Sequence, residues 1–192
     1  IPSGGGLTVA VIDDGVQAAH PDLDVSLLQF DLMSPPPPAT DDARNPLANN
    51  NHGTSVAGII AAQHDGVGMV GIAPDANVVS IRIMRNLAFA PASDVAAAID
   101  FAWDWADADV INNSWRMNPD AAVTAAIDRA IANGRGGKGS VLVFGAGNGS
   151  NRLFGSYASV AFPANLANTR EILSVGAINS SGFAADYTPR QA

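Results

Sequence analysis

The stretch LTVAVID, residues 7–13, decides how this chain folds. It is a short run rich in Val and Ile that ends in carboxylates, because Asp13 is followed directly by Asp14. A strand that is apolar on both of its faces is typical of a parallel sheet covered by helices on each side. The stretch therefore predicts a buried parallel strand with acidic groups at its carboxyl end.

The same pattern recurs along the chain, with helical segments between the candidate strands. The further candidate strands are residues 77–84, 109–114, 140–147 and 171–178. Strands that alternate with helices indicate an α/β fold, and we expect a three-layer sandwich with a mostly parallel central sheet and helices on both faces. The proline- and asparagine-rich segment 32–51 is typical of a surface loop.

Capping residues mark the ends of two of the predicted helices. Ser93 is a candidate N-cap for a helix over 94–106. Pro119 and Asp120 open a second helix that we expect to run to Asn133, with Gly134 as the glycine that follows the helix.

Composition limits the classes of function. The 192 residues are 47% hydrophobic and 15% charged, carry a formal net charge of −8 and include no cysteine. The acidic balance disfavours nucleic-acid binding, and no apolar run approaches the ~18 residues that cross a bilayer. Without cysteine the chain has no disulfide, thiolate zinc site or cysteine nucleophile. We expect one soluble globular domain that binds neither nucleic acid nor membrane.

Asp13 and His52 form the first candidate pair of functional residues. A carboxylate that emerges from a buried strand is unfavourable unless a partner compensates its charge. His52 directly precedes a helical segment of small residues, which lets that helix lie close to the sheet. Asp13 would then accept the Nδ1–H of His52 and leave Nε2 as a general base. The alternatives are an aspartate that caps a turn and a surface histidine.

Asn148 is the next candidate, in the segment GAGNGS at 145–150. Its amide could donate to a developing oxyanion between glycines that admit a substrate backbone, or it is simply a turn asparagine. The glycines also begin a dinucleotide-binding pattern, but Ser150 replaces the third glycine and no clear helix follows. That departure argues against nucleotide binding.

Three segments in this order resemble the Asp, His and oxyanion-Asn motifs of the subtilisin-like serine proteases. They are VAVIDDG at 9–15, HGTSVAGIIAA at 52–62 and GAGNGS at 145–150. Three further segments resemble the family, namely GIAPDANVVSIRIM at 71–84, INNSW at 111–115 and FPANLANTREILSVGA at 162–177. The resemblance covers nearly the whole chain and implies a subtilisin-like fold and serine endopeptidase activity. It implies that Asp13 orients His52, that His52 is the general base and then the general acid, and that Asn148 stabilises the oxyanion.

The resemblance also implies a site for the substrate peptide. The peptide would lie as an added strand beside Ser114, Trp115 and Arg116. Gly145, Ala146 and Gly147 would form the opposite wall of the P1 pocket. Arg116 stands where the family usually has glycine, so we expect a reshaped subsite.

Asp14 bears on specificity. The DDG form resembles the kexin and furin-type convertases, in which the second carboxylate faces a basic P2 side chain. The segment SVAFPAN at 159–165 lacks the acidic P1-pocket residue of that branch. Cleavage at dibasic sites is therefore a hypothesis.

A calcium site is implied as well. Asp22 and Asp65 match side-chain ligands of the family's strong site, and the backbone carbonyls of Gln63, Val67 and Met69 would complete a shell of oxygen ligands. The alternative is that residues 65–66 only form a turn. The family and the calcium site together favour a secreted, extracellular protein.

The serine nucleophile is expected outside this chain. The family places it in a G-T-S-x-x-x-P motif beyond the Asn motif, whereas the only G-T-S here is residues 53–55, with Ile59 at the proline position. We expect residues 1–192 to be one domain, the N-terminal portion of a catalytic domain truncated at its C-terminus and inactive alone. Its partners would be protein or peptide substrates and a propeptide or the missing C-terminal part. The alternative is a binding or scaffold protein that keeps the fold without the serine.

Overall fold

The structure is a computed structural model that describes residues 3–33, 50–86, 88–149 and 158–189. Its strands are β1 (Thr8–Asp13), β2 (Val25–Asp31), β3 (Asn77–Arg82), β4 (Met84–Arg85), β5 (Ala88–Phe89), β6 (Val110–Asn113), β7 (Val141–Gly145) and β8 (Leu173–Val175). Its helices are α1 (His52–Ala61), α2 (Ala92–Asp100) and α3 (Ala121–Gly137), with a π-helical turn at Phe101–Trp105 and a 3₁₀ turn at Ala164–Asn168.

Six strands form one parallel sheet in the order β2-β3-β1-β6-β7-β8. Strand β1 lies inside the sheet between β3 and β6, and Asp13 is in register with Arg82 at its end. The short strands β4 and β5 pair as an antiparallel hairpin outside this sheet. Because all six strands run the same way, their carboxyl ends meet at one edge, where ligands bind in open parallel sheets.

Side chains alternate between two cores on the two faces of the sheet. Val11 and Val78 belong to the cluster that includes Ala57 and Ala61 of α1. Their neighbours Ala10, Ile12 and Val79 belong to the larger cluster that α2 and α3 complete. This arrangement confirms the predicted three-layer α/β sandwich. None of the helices in the described part of the chain combines the length and apolarity needed to cross a bilayer.

Two of the predicted helix ends are wrong in detail. Helix α2 begins at Ala92 after Pro91, and Ser93 donates from Oγ to Asp94 instead of capping the helix. The carbonyl of Pro91 accepts the N–H groups of Asp94 and Val95, because the fixed φ of proline starts the helix earlier. Helix α3 begins at Ala121, just after Pro119 and Asp120, and Asp120 caps it by accepting the N–H groups of Ala122 and Val123.

Gly134 ends the regular part of α3, but in an extended conformation with φ −56° and ψ 155°, and Arg135 takes the left-handed conformation instead. A Cβ at Gly134 would lie 2.2 Å from Oγ of Ser140. The glycine is therefore required by close approach, not by a positive φ.

Strand β2 is absent from the predicted strands. It lies at the edge of the sheet, and two of its central leucines, Leu27 and Leu28, are exposed. Its sequence VSLLQFD does not alternate cleanly and is not continuously apolar, so neither strand pattern identifies it. Most of the predicted loop 32–51 lies outside the described residues.

Candidate active site

Asp13 and His52 meet at the carboxyl edge of the sheet. Asp13 ends β1 and is fully buried, whereas His52 is the first residue of α1 and its side chain is 56% exposed. The Nδ1 atom of His52 lies 2.9 Å from Oδ1 and 3.0 Å from Oδ2 of Asp13. With the proton on Nδ1 donated to this carboxylate, Nε2 is left as the basic nitrogen of the ring.

Gly53 allows this contact to form. A Cβ at this position would lie 2.4 Å from the carbonyl oxygen of Gly15 and 3.0 Å from Cβ of Asp13. Any larger residue would push α1 away from the end of β1. The glycine after the histidine thus sets the distance between His52 and Asp13.

Asp14 supplies the N-terminal cap of α1 from a different part of the chain. Asn51, directly before the helix, makes no side-chain capping bond. Instead, Oδ1 of Asp14 accepts the N–H of Gly53 at 2.7 Å, and Oδ2 accepts the N–H of His52 at 3.2 Å. Two of the N–H groups that a helix start leaves unpaired are thereby satisfied. The second carboxylate of the DDG segment joins the helix start to the end of β1.

The pair has shifted pKa values with identifiable causes. Burial raises the pKa of Asp13, although the hydrogen bond and positive charge of His52 oppose that rise. The hydrogen bond to Asp13 raises the pKa of His52 above its ordinary value; burial opposes the rise, and the charges of Asp13 and Asp14 add to it. A base held in this way is neutral only at a pH above that raised pKa.

A cleft of about 870 Å³ lies in front of this pair. Its lining residues are Asp14, Asn50, Asn51, His52, Met84, Asn86, Phe89, Ser114, Trp115 and Arg116. The fold therefore brings the predicted substrate segment 114–116 into the same cleft as His52 and Asp14. The residues of the β4–β5 hairpin in this lining were not predicted, because their position depends on a tertiary contact.

Trp115 is anchored in the core and is only 6% exposed. Its ring meets Phe144 of β7 edge to face at 5.9 Å and Phe89 of β5 at 6.3 Å. This packing fixes the backbone of the segment 114–116 between the sheet and the hairpin.

The second predicted wall, residues 145–147, follows β7. The Ala146 N–H donates to Val175, and its carbonyl accepts from Ala161. Gly147 has φ +106°, and a Cβ there would lie 3.9 Å from Cδ of Arg116. These residues are not part of the cleft lining given above, but Gly147 lies beside the Arg116 side chain.

Asn148 is exposed and follows the end of β7. Because β1, β6 and β7 are consecutive in the sheet, strands about 4.8 Å apart put the end of β7, which Asn148 follows, roughly 10 Å along the same edge from the end of β1. The sequence prediction that these groups share one edge is consistent with this topology.

The predicted calcium ligands lie where α1 ends. Asp22 is 8% exposed, and its Oδ1 atom is buried without a hydrogen-bond partner among the described residues. The carbonyl of Asp22 accepts the N–H of Gln63, and a Cβ at Gly68 would lie 2.7 Å from Asp22 Oδ2. Asp65 is exposed and accepts the N–H of Val67.

An orphaned carboxylate oxygen held against a loop fits a hard cation with oxygen ligands. No three His, Cys, Asp or Glu side chains cluster together within the described residues. Three of the five predicted ligands are backbone carbonyl oxygens, so the predicted site needs only two carboxylates.

One buried ion pair was missed by the sequence reasoning. Arg82 at the end of β3 is fully buried, and its guanidinium donates to both carboxylate oxygens of Asp31, with 2.9 Å between Nε and Oδ1. The detectable signal is an arginine inside the apolar run VVSIRIM, since such a charge must have a partner. The pair ties β2 to β3 beside the strand that carries Asp13.

Comparison with known proteins identifies relatives along almost the whole chain. The sequence model of the Subtilase family matches residues 4–192. Subtilisin E of Bacillus subtilis (strain 168) is 30% identical over 187 residues, which are 97% of this chain and 44% of that protein. The thermophilic serine proteinase of Bacillus sp. (strain AK1) is 34% identical over 186 residues, covering 95% of this chain and 41% of the relative.

Two further proteins are similar over most of the chain. The dibasic-processing endoprotease of Schizosaccharomyces pombe is 33% identical over 181 residues, which cover 85% of this chain and 24% of that protein. The solved structure of sphericase superposes with a TM-score of 0.78 at 28% identity, over 98% of this chain and 60% of that chain. The chain thus spans less than half the length of the first curated relatives that it matches.

Proposed function

The chain belongs to the subtilase family, and from this premise we propose that its protein is a serine endopeptidase. The observation that carries the proposal is the contact of His52 Nδ1 with both carboxylate oxygens of Asp13. A buried carboxylate has a histidine partner, and the histidine opens onto a cleft large enough for a peptide.

The residues of the pair divide the proton-transfer work. Asp13 holds the Nδ1–H tautomer of His52 and stabilises the imidazolium once it forms. His52 takes the proton of a serine hydroxyl at Nε2 as that oxygen attacks the peptide carbonyl, then gives the proton to the leaving amine. The tetrahedral oxyanion is assigned to the side-chain amide of Asn148 at the end of β7.

The substrate is assigned to the two chain segments beside the cleft. A peptide in extended conformation would pair with the backbone of Ser114, Trp115 and Arg116, with residues 145–147 as the opposite wall. The packing of Trp115 supports this assignment, because it makes the 114–116 segment rigid before the peptide binds.

The serine nucleophile is assigned to sequence beyond residue 192, so that residues 1–192 are the N-terminal portion of a single catalytic domain. Ser55 of the only G-T-S lies on α1 itself, one turn after His52, and its Oγ donates to the Asn51 carbonyl. The partial coverage of subtilisin E and sphericase supports this proposal. On this proposal the 192-residue chain alone does not hydrolyse peptides.

Labelling with a serine-directed fluorophosphonate tests this function. We expect the full-length protein to be labelled at one serine beyond residue 192, and His52→Ala to abolish the labelling while circular dichroism stays unchanged. The 192-residue chain should remain unlabelled. Labelling of a serine within residues 1–192, or labelling that is independent of His52, would contradict the proposal.

Calcium is proposed as a structural ligand of the loop after α1. Asp22 and Asp65 would supply side-chain oxygens, and Gln63, Val67 and Met69 would supply carbonyl oxygens. Bound calcium would supply positive charge to the orphaned oxygen of Asp22 and hold the loop against it.

Specificity and location are proposals of the same kind. Asp14 lines the cleft, and a carboxylate accepts more hydrogen bonds than the two that α1 donates to it, so it is a candidate acceptor for a basic P2 side chain. The match to a dibasic-processing endoprotease supports this candidate. We also propose that the protein is secreted, in agreement with its proposed calcium site. Its partners are then protein or peptide substrates and a propeptide.

A further inference from the structure

Arg116 is exposed and lines the candidate cleft together with His52 and Asp14. Its backbone is fixed on both sides, by the buried ring of Trp115 and by the bond from the Met117 N–H to the Phe162 carbonyl. The Arg116 side chain runs beside Gly147, near the end of β7. A rigid stretch of backbone thus presents a guanidinium to the cleft.

Within the described part of the chain, no carboxylate or other acceptor pairs with the Arg116 side chain. Four other arginines each have an aspartate partner, in the pairs Arg82–Asp31, Arg129–Asp100, Arg135–Asp109 and Arg170–Asp128. The chain offers 18 acidic residues against 10 basic ones. The exposed guanidinium of Arg116 is therefore available to a ligand.

The remaining charges of the cleft already have partners. His52 is bonded to Asp13, and both oxygens of Asp14 accept N–H groups of α1. The other lining side chains carry no charge. Arg116 is therefore the charged group in the described lining whose hydrogen-bonding capacity is entirely free.

We propose that Arg116 is a specificity-determining residue that binds a carboxylate of the substrate, so that the protein cleaves peptides with an acidic side chain at one subsite. The proposal rests on the proposed endopeptidase function. A guanidinium forms two parallel hydrogen bonds with a carboxylate, which neither an amide nor an ammonium partner can replace.

Peptide cleavage by the full-length protein tests this assignment. Each position from P4 to P2′ is changed in turn between Glu and Gln, and between Asp and Asn, in an otherwise neutral peptide. We expect the acidic peptide to have about tenfold higher kcat/KM at one position, and this ratio to fall with added salt. Arg116→Gln should bring the ratio to about 1, and Arg116→Glu should reverse it.

Lys138→Gln is the matched control, because it removes the same charge at the far edge of the sheet, beside Gly6 and Thr8. It should leave the preference unchanged. The proposal is overturned if wild type shows no acidic preference at any position. It is also overturned if Arg116→Gln keeps the wild-type ratio, as Lys138→Gln should. A preference for basic P2 residues alone would assign specificity to Asp14 instead.

Equilibrium binding separates this proposal from the proposed function. The same peptides are bound to full-length His52→Ala, and to that variant with Arg116→Gln or Arg116→Lys. If wild type hydrolyses no peptide, the proposed function fails, while weaker binding of acidic peptides to the Arg116→Gln form still supports the carboxylate site. Equal binding of the acidic and neutral peptides would refute it.

Discussion

The contact between Asp13 and His52 makes the pH dependence of activity a direct test of their roles. The hydrogen bond and charge of Asp13 raise the pKa of His52, and a general base acts only when it is neutral. We expect kcat/KM of the full-length protein to rise with pH through a midpoint above the ordinary histidine value. In Asp13→Asn the midpoint should move down, and kcat should fall by roughly 10³-fold or more while KM changes little.

The corresponding contribution to stability has the opposite dependence on pH. A histidine whose pKa is raised by folding stabilises the fold fully below its unfolded pKa, and loses that contribution as pH rises through the folded value. Proton NMR titration of His52 in wild type and Asp13→Asn measures the shift directly. The orienting role of Asp13 is ruled out if the pKa of His52 is the same in Asp13→Asn as in wild type. It is also ruled out if Asp13→Asn weakens substrate binding, measured as KM, as much as it lowers kcat.

At the level of single residues, the sequence predicted the pair Asp13 and His52 but not all of the contacts around it. Asp13 was identified because a carboxylate ends a buried strand, and His52 because small residues follow it. The capping role of Asp14 depends on where the loop after β1 meets α1, and no local pattern carries that information. The partner of Arg82 likewise lies 51 residues away in the chain.

At the level of elements, helix α1 depends on a cap that another element supplies. Asp14→Ala removes both acceptors from its first turn, so we expect a loss of about 1 kcal/mol in the free energy of unfolding. Because His52 begins this helix and Asp14 contributes to its raised pKa, the His52 midpoint should also fall. Urea unfolding of the full-length protein and NMR titration of His52 measure the two effects.

Asp120→Ala is the control for this prediction, because Asp120 caps α3 in the ordinary way from the position before the helix. It should lower stability by a similar amount and leave the His52 midpoint unchanged. If Asp14→Ala alters only stability, Asp14 is a helix cap without influence on the base.

Element types were predicted better than element ends. The five apolar candidate strands correspond to strands of the sheet. In β1 and β3 the reason is burial on both faces, which leaves a continuous apolar run. The conformation of Gly134 was not predictable, since it is set by the approach of Ser140, which lies on another segment. The start of α2 was misplaced because Pro91, not Ser93, begins it.

Across the whole molecule, both edge strands of the sheet expose apolar residues, as Leu27 of β2 already showed. Among the described strands β8 pairs with β7 alone, and Leu173 and Val175 in it are 55% and 52% exposed. Apolar residues at a sheet edge usually pack against further structure. This edge agrees with the proposal that the catalytic domain continues beyond residue 192, and sphericase shares the fold over only 60% of its own length.

The proposed calcium site predicts that the thermal stability of the whole molecule depends on the ion. If Asp22 and the loop 63–69 bind calcium only when folded, the ion stabilises the folded state by about 2.7 kcal/mol at a free concentration 100 times its Kd. We therefore expect a chelator to lower the Tm of the full-length protein, and added calcium, but not magnesium, to restore it, because the larger ion accepts irregular sets of oxygen ligands.

The two side-chain ligands allow matched variants. Asp22→Asn should abolish the response of Tm to calcium, since it removes the charge of a buried carboxylate whose Oδ1 has no partner among the described residues. Asp75→Asn, on the turn before β3, removes an equal charge and should leave the response intact. A Tm that is the same with calcium and with chelator would exclude the site, and an equal response in Asp22→Asn would place the ion elsewhere.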